Sequence, residues 1–313
     1  MERMKAAVCT RYGPPEVFKI VERGVPVPKD DEVLIKIFAA SVTNSDIFIR
    51  SSDVPLRLRI PMRIMMGITR PRNDILGEVL SGEIVKVGPG IKRFHVGDQV
   101  FGLTGFSLGA YADYKCMKEA ASRKGCIALK PSNISHGDAT SAAYGGLLAF
   151  QFLEEGHIQP REKVLIYGAS GTSGTIAVQY AKHLGAEVTG VCSAEKIDLV
   201  RSLGADKILD YNDRDSISRL EAYDFVLDSV GKARTSELKK ACKALMTGKH
   251  KFVSIDDGPL ILSYDRLVHI RELVEAGIIK PITDRCFPLE QIIEAHRYVE
   301  RGHKSGNVAI IVN

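Results

Sequence analysis

"VLIYGASGTSGTIAVQYAK", residues 164–182, decides the fold of this 313-residue chain. It begins as an apolar, strand-like run, breaks at Gly168, Gly171 and Gly174, and continues in a helical pattern. A strand that ends in spaced glycines and opens a helix makes a phosphate site. The first amides of the helix have no partner within it and carry partial positive charge. Glycine lets a pyrophosphate close on the backbone, and the last glycine lets helix and strand pack tightly. A glycine pattern alone is weak. This one sits inside a βαβ run, which is the context that gives it meaning.

Strands and helices alternate downstream. "EVTGVC" (187–192) reads as a strand and "AEKIDLVRSLG" (194–204) as a helix. "KILDY" (207–211), "YDFVLDSV" (223–230) and "KFVSID" (251–256) read as further strands. Such alternation with apolar strands implies a parallel sheet covered on both faces. Upstream, residues 1–128 are β-rich, with alternating runs such as "EVLIKIFAASV" (32–42) and turn signals such as "VGPG" (87–90). A helix closed by glycine is expected over 139–156. The tail reads as helices over 263–277 and 289–301, then a strand, "NVAIIVN" (307–313). The fold class is therefore α/β, with a Rossmann doubly wound parallel sheet as its second half.

The end of the second strand decides which dinucleotide fits. NAD sites place an acid there, roughly twenty residues past the glycines, for the ribose 2′-hydroxyl. Here that slot reads "VCSAEK" (191–196), with no carboxylate at Val191, Cys192 or Ser193. Ser193 can donate to a 2′-phosphate, Lys196 can neutralise one, and Tyr211 at the next strand end adds a hydroxyl. The reading favours NADP (NADPH) over NAD, with Glu195 as the alternative contact to a bare ribose.

Composition bounds the rest. The chain is 45% hydrophobic and 26% charged, enough to bury a core and to form about two domains at ~100–200 residues each. Its net charge of +5 is spread without a basic tail, so no nucleic-acid partner is expected. The six cysteines lie far apart with no C-x-x-C pair, which argues against a zinc ribbon. No run is apolar and long enough to span a bilayer. The start, "MERMKAAV", lacks a signal-peptide core, and a cytoplasmic location with reduced thiols is expected.

With their neighbours, these residues resemble the medium-chain dehydrogenase/reductase superfamily, and most of all its zinc-free quinone oxidoreductase-like branch. The resemblance runs almost end to end, through "KAAVCTRYGPPEVFKI", "DEVLIKIFAASVTNSD", "SGEIVKVGPGIKRFHVGDQVFGL", "VLIYGASG", "SLGADKILDY", "YDFVLDSVG" and "EAHRYVERGHKSGNVAII". It implies a β-rich GroES-like catalytic domain, residues 1–128 completed by 267–313, around a Rossmann domain of residues 129–266. The active site is then expected in the cleft between them. Residue by residue, it implies that Gly168, Ser170, Gly171, Thr172, Ser173 and Gly174 wrap the pyrophosphate. Ser193, Lys196 and Tyr211 match the 2′-phosphate pocket of NADPH-using relatives. Gly231 and Ser254 fall on the nicotinamide side, and Asn307 at a C-terminal cofactor contact where relatives often carry lysine.

The departures narrow the chemistry. Where zinc-dependent relatives place a cysteine and a Gly-His-Glu histidine, this chain has Thr43 and, in "GEV", Glu78. The cysteine-rich structural-zinc lobe is missing too, so no zinc is expected. Without a Lewis acid, acceptors that are already electrophilic suit the site, namely quinones or conjugated enones. Thr43 is the expected catalytic residue nearest the transferred hydride. Some relatives place a tyrosine two residues after the Asp of this loop, where Asp46 is here followed by Ile47 and Phe48. Water is then the expected proton source. Leu148 stands where relatives often have threonine. Residues 257–265 are shorter than in many relatives, which bears on the homodimer such enzymes form. Two rival readings stay open: a zinc-independent alcohol or aldehyde dehydrogenase, and a low-turnover NADPH-binding regulatory protein.

Other tempting residues have plainer readings. His95, His136, His157, His183, His250, His269, His296 and His303 pair with no nucleophile in sequence and read as surface or packing side chains, with His303 the one near the cofactor phosphate. Asp46 reads as bonding its own loop, and Cys192 as a buried strand-end thiol. "PMRIMMGI" (61–68) reads as core packing or as an apolar lip over the substrate.

Overall fold

The computed structural model describes residues 2–53, 60, 63–64, 66–232, 234–245 and 251–312. It falls into two compact units. One comprises Met1–Ala143, Leu262–Arg271 and Thr283–Asn313, and the other Tyr144–Ile261 and Glu272–Ile282. The first division lies beyond the 128/129 boundary read from the sequence, inside a helix that begins in one unit and ends in the other.

The second unit is built on the quoted stretch. Strands β8 (Lys163–Tyr167), β9 (Glu187–Cys192), β10 (Lys207–Asp210), β11 (Phe225–Asp228) and β12 (Lys251–Ser254) form a parallel sheet in the order β10-β9-β8-β11-β12. Renumbered within the unit, that order is 3-2-1-4-5, the Rossmann arrangement, with ligands expected beyond the carboxyl ends of the strands. The side chains of β11 and nearly all of β8 are buried, as a sheet covered on both faces requires. Helix α3 (Thr172–His183) follows β8, with residues Thr172 to Ala181 all buried. The helix expected over 194–204 starts as a 3-10 turn, Ala194–Lys196, and becomes helical only as α4 (Ile197–Ser202). Helix α5 (Glu237–Ala244) precedes β12. No strand follows in residues 257–263.

The first unit holds a seven-stranded sheet. Its path runs β13 (Thr283–Pro288), β14 (Asn307–Ile311), β3 (Glu32–Ser41), β4 (Val79–Val87), β5 (Gln99–Leu103) and β7 (Cys126–Leu129), with β6 (Tyr114–Lys118) also paired to β3. Strands β1 (Arg3–Cys9) and β2 (Phe18–Gly24) form a separate antiparallel ribbon. Strand β14 pairs antiparallel with β3, Ala309 opposite Ser41, so this late strand joins the sheet of the N-terminal strands. Its core gathers Ile35, Ile37, Leu80, Ile84, Val100 and Ile310 from four of these strands. Helix α1 (Asn44–Ser51) follows β3. Its Arg50 is fully buried, donating to the Gly13 carbonyl at 2.5 Å and paired with Glu300 on α7 (Ile292–Glu300). Helices α2 (His136–Glu154) and α6 (Tyr264–Glu275) each run across a unit division. Among the described residues no helix is long and apolar enough to cross a membrane.

Candidate active site

The glycine turn is built as its sequence requires. Gly168 ends β8 at φ +86°, a left-handed conformation that strains any other residue, and a Cβ there would lie 2.4 Å from Val230 Cγ2. Gly174 lies in the first turn of α3, where a Cβ would meet the Gly168 carbonyl at 2.1 Å. Gly171 differs: the nearest atom to an added Cβ is that same carbonyl, at 3.4 Å, so the space beside it is open. Gly171 is the N-cap of α3 and offers no side-chain cap, at the end of the helix where an anion is favoured. Ser173 Oγ is 2.6 Å from Ser229 Oγ, tying the turn to the end of β11. Ser170 is half-buried, and Thr172 is buried at the head of the helix.

At the neighbouring strand ends, Cys192 lies opposite Asp210, and the Tyr211 amide donates to the Cys192 carbonyl at 3.1 Å. The backbone therefore puts Ser193 and Tyr211 side by side past β9 and β10. Ser193 heads the 3-10 turn, and the Lys196 amide donates to its carbonyl at 2.9 Å. Ser193 and Lys196 are half-buried, and Tyr211 is exposed. Glu195 is exposed too, and Cys192 is buried at the end of β9.

Past β11 and β12 lies a network that the sequence did not announce. Asp228, fully buried at the end of β11, pairs with Lys239 Nζ of α5 at 2.5 Å. Lys239 Nζ also donates to the carbonyls of Gly231 at 2.7 Å and Arg234 at 2.9 Å. Ser254 Oγ donates to the same oxygen as Lys239, Asp228 Oδ2, at 3.0 Å, and the amides of Val230 and Gly231 donate to Oδ1 at 3.2 and 3.3 Å. Gly231 and Ser254, expected on the nicotinamide side, are thus held by one buried ion pair. Asp228 was visible as the acid closing an apolar strand. The only hint of Lys239 was its place on a helix that also buries Leu238 and Cys242. Leu148 of α2 is nearly buried.

The first unit contributes a second constellation. Thr43 is the N-cap of α1 in a capping box: its hydroxyl accepts from the Asp46 amide at 3.1 Å and donates to Asp46 Oδ2 at 2.8 Å. Asp46 Oδ2 also accepts from the Thr43 amide at 2.9 Å, and Oδ1 from the Gly77 amide at 3.1 Å. Glu78 Oε2 lies 3.4 Å from Thr43 Oγ1. Burial raises both carboxyls above the ordinary range, and for Glu78 the neighbouring Asp46 charge adds to it. Tyr111 is fully buried beside them, its hydroxyl donating to the Ser41 carbonyl at 3.1 Å. Asn307 is buried as well. Its amide nitrogen donates to Ser41 Oγ at 2.8 Å and Thr140 Oγ1 at 3.0 Å, while its Oδ1 has no hydrogen-bond partner.

The set-aside histidines take different places. His136 Nδ1 is 2.8 Å from Ser81 Oγ, and His296 is fully buried against Phe18 with ring centroids 4.7 Å apart. His303 is exposed. His250 and part of the 61–68 stretch lie outside the described residues.

The open face at Gly171 and the start of α3, whose N-cap residue has no side chain, fit the phosphates of a nucleotide. Zinc fits poorly. The Thr43 hydroxyl is spent on the helix cap, Asp46 already takes three hydrogen bonds, and neither cysteine nor histidine joins them. Among the described residues no group of three or more His, Cys, Asp or Glu is placed to hold a metal ion.

A glycine turn on a sheet of this order, with one β-rich unit built from both ends of the chain, defines a nicotinamide-dependent oxidoreductase. Residues 29–130 match the family described as alcohol dehydrogenase GroES-like domain, and residues 174–277 and 260–310 match two described as zinc-binding dehydrogenase. The mouse (Mus musculus) mitochondrial NAD(P)H oxidoreductase RTN4IP1 is 28% identical, over 99% of this chain and 89% of its own. The chloroplastic NADPH-dependent alkenal/one oxidoreductase of Arabidopsis thaliana is 29% identical, over 99% of this chain and 80% of its own. The quinone oxidoreductase structure from Coxiella burnetii superposes with a TM-score of 0.83 at 24% identity, covering 100% of both chains. The chain belongs to the medium-chain dehydrogenase/reductase superfamily, in its quinone oxidoreductase-like branch.

Proposed function

We propose that this protein is an NADPH-dependent, zinc-free reductase of quinones or α,β-unsaturated carbonyls. The observation that carries the reading is the pairing of Ser193 with Tyr211 at adjacent strand ends, beside a glycine turn and near Lys196. Two hydroxyls and a cation suit a 2′-phosphate, whereas a bare ribose calls for a carboxylate. Bound reduced nicotinamide would supply the hydride. The chain would hold the pyrophosphate on the amides of the α3 N-terminus and orient the ring through Gly231, Ser254 and Asn307. Thr43 is the proposed side chain that meets the acceptor. The relatives named for alkenals and quinones support acceptors of that kind. The six cysteines, none in a disulfide, suit a reducing compartment, and the cytoplasm is our proposal for it.

The test is a titration with NADPH and NADH by fluorescence quenching, followed by cofactor oxidation with quinones, enones and aldehydes and a metal analysis of the active protein. Tighter binding of NADPH and metal-free turnover of quinones or enones are expected. Equal affinity for the two cofactors, or turnover that tracks bound zinc, would sink the proposal. The Thr43 hydroxyl's engagement in a helix cap favours one rival, a low-turnover NADPH-binding protein. Binding without turnover on the whole panel would establish that instead.

A further inference from the structure

Two carboxyl groups in the first unit flank one hydroxyl, and they are not equally equipped to be anions. Asp46 takes three hydrogen bonds, two of them from backbone amides. Such donors stabilise a carboxylate. Glu78 meets only hydroxyls, those of Thr43 and Ser45, and faces the Asp46 carboxylate. Two carboxyls this close do not both ionise readily, so the one without amide donors keeps the proton. Glu78 nevertheless retains accessible surface, so it is not sealed off from water. The groups facing it are Asp46, Ser45 and Thr43 from α1 and its cap, with Tyr111 near Asp46.

We propose that Glu78 is the proton source for the reduction, acting through the Thr43 hydroxyl. The Thr43 oxygen already gives its hydrogen to Asp46 and keeps room to accept one from Glu78. The 3.4 Å contact is longer than a tight O–H···O bond and closes by a small side-chain rotation. An acceptor that has gained a hydride carries an oxyanion, either an enolate or a hydroquinone anion. The Thr43 hydroxyl turns its hydrogen from Asp46 to that oxygen, and the Thr43 O–H bond breaks as the new O–H bond forms. The Glu78 O–H bond then breaks to restore the Thr43 hydroxyl, and the Glu78 carboxylate regains a proton from water. The inference rests on the reductase reading and replaces water as the immediate donor.

The experiment compares wild type with Glu78→Gln, which keeps the shape and loses the acid, and with Glu78→Asp. In the cofactor-free protein, a carboxyl raised above its unfolded value contributes stability at low pH that is lost as pH rises through the raised value. Wild type should therefore lose Tm on that alkaline limb, and Glu78→Gln should not. The infrared carbonyl band of a protonated carboxyl at neutral pH should be missing from Glu78→Gln. With quinone and enone acceptors, kcat of Glu78→Gln should fall at least about tenfold, with NADPH affinity unchanged and the alkaline fall in kcat abolished. Glu78→Asp should recover part of the rate. A Glu78→Gln enzyme with wild-type kcat and pH profile, or an unchanged stability limb, overturns the proposal. Wild-type inactivity across the acceptor panel overturns the reductase reading, and this one with it.

Discussion

Lys239 carries much of the second unit's polar order. Its side chain is 9% exposed and its partner Asp228 fully buried, so removing it leaves a buried carboxylate without its direct ion-pair partner. Breaking such a pair costs about 3–5 kcal/mol. Lys239→Met should lower the urea midpoint accordingly and weaken NADPH binding, because Gly231 and Ser254 lose their common anchor. His296 presents the opposite case. Both ring nitrogens lack partners, and burial together with the Arg50 charge holds its pKa well below 6.5. Below about pH 6.5 the unfolded chain takes up a proton there that the folded chain refuses, so stability falls with acidification. His296→Phe keeps the contacts with Phe18 and Tyr111 and sheds both orphans. Its Tm should rise, and its loss of stability below pH 6.5 should be smaller than in wild type. Neither residue was legible in the sequence. A buried lysine and a surface lysine look alike until α5 is packed, and "EAHRYVE" gives no sign that its histidine faces an aromatic box.

At the scale of elements, the glycine turn was readable because its chemistry is local. A strand period, a loop that needs open backbone and a helix period occupy one stretch of chain, and β8 ends just before Gly168 while α3 begins just after Gly171. Gly174→Ala would push a Cβ against the Gly168 carbonyl, a backbone atom that cannot swing aside. NADPH quenching should be lost or greatly weakened, and circular dichroism should show the fold retained. The α1 cap was half legible. Asp46 was read as bonding its own loop, and its reciprocal bonds with Thr43 are local, whereas the Gly77 amide and Glu78 reach this cap from just before β4, far away in sequence. Thr43→Ala should cost about 1 kcal/mol as a lost cap. Thr43→Ser should restore that stability, and a chemical-denaturation series on the three proteins checks it. The strands read correctly were those with clear alternation or apolar runs. Strand β13 went unread because "TDRCFP" has neither pattern, and parallel pairing with β14 alone makes it a strand.

On the scale of the molecule, the parallel sheet followed from strand–helix alternation, whereas the return of the tail to the N-terminal unit came only through family resemblance. No local pattern in residues 307–311 announces β3 as partner, since the pairing is between segments at opposite ends of the chain. NADPH should stabilise the whole protein by mass action, about 2.7 kcal/mol at a hundredfold excess over Kd, and NADH less at equal concentration. A thermal-shift series with both nucleotides checks the preference independently of turnover.

The pairing of Ala309 with Ser41 also sets an order of events during synthesis. All five strands of the Rossmann sheet leave the ribosome while β3 still lacks the edge that β14 will cover. The N-terminal sheet must wait, half-formed, for a partner made after the whole Rossmann sheet, and chaperones would find their exposed surface there.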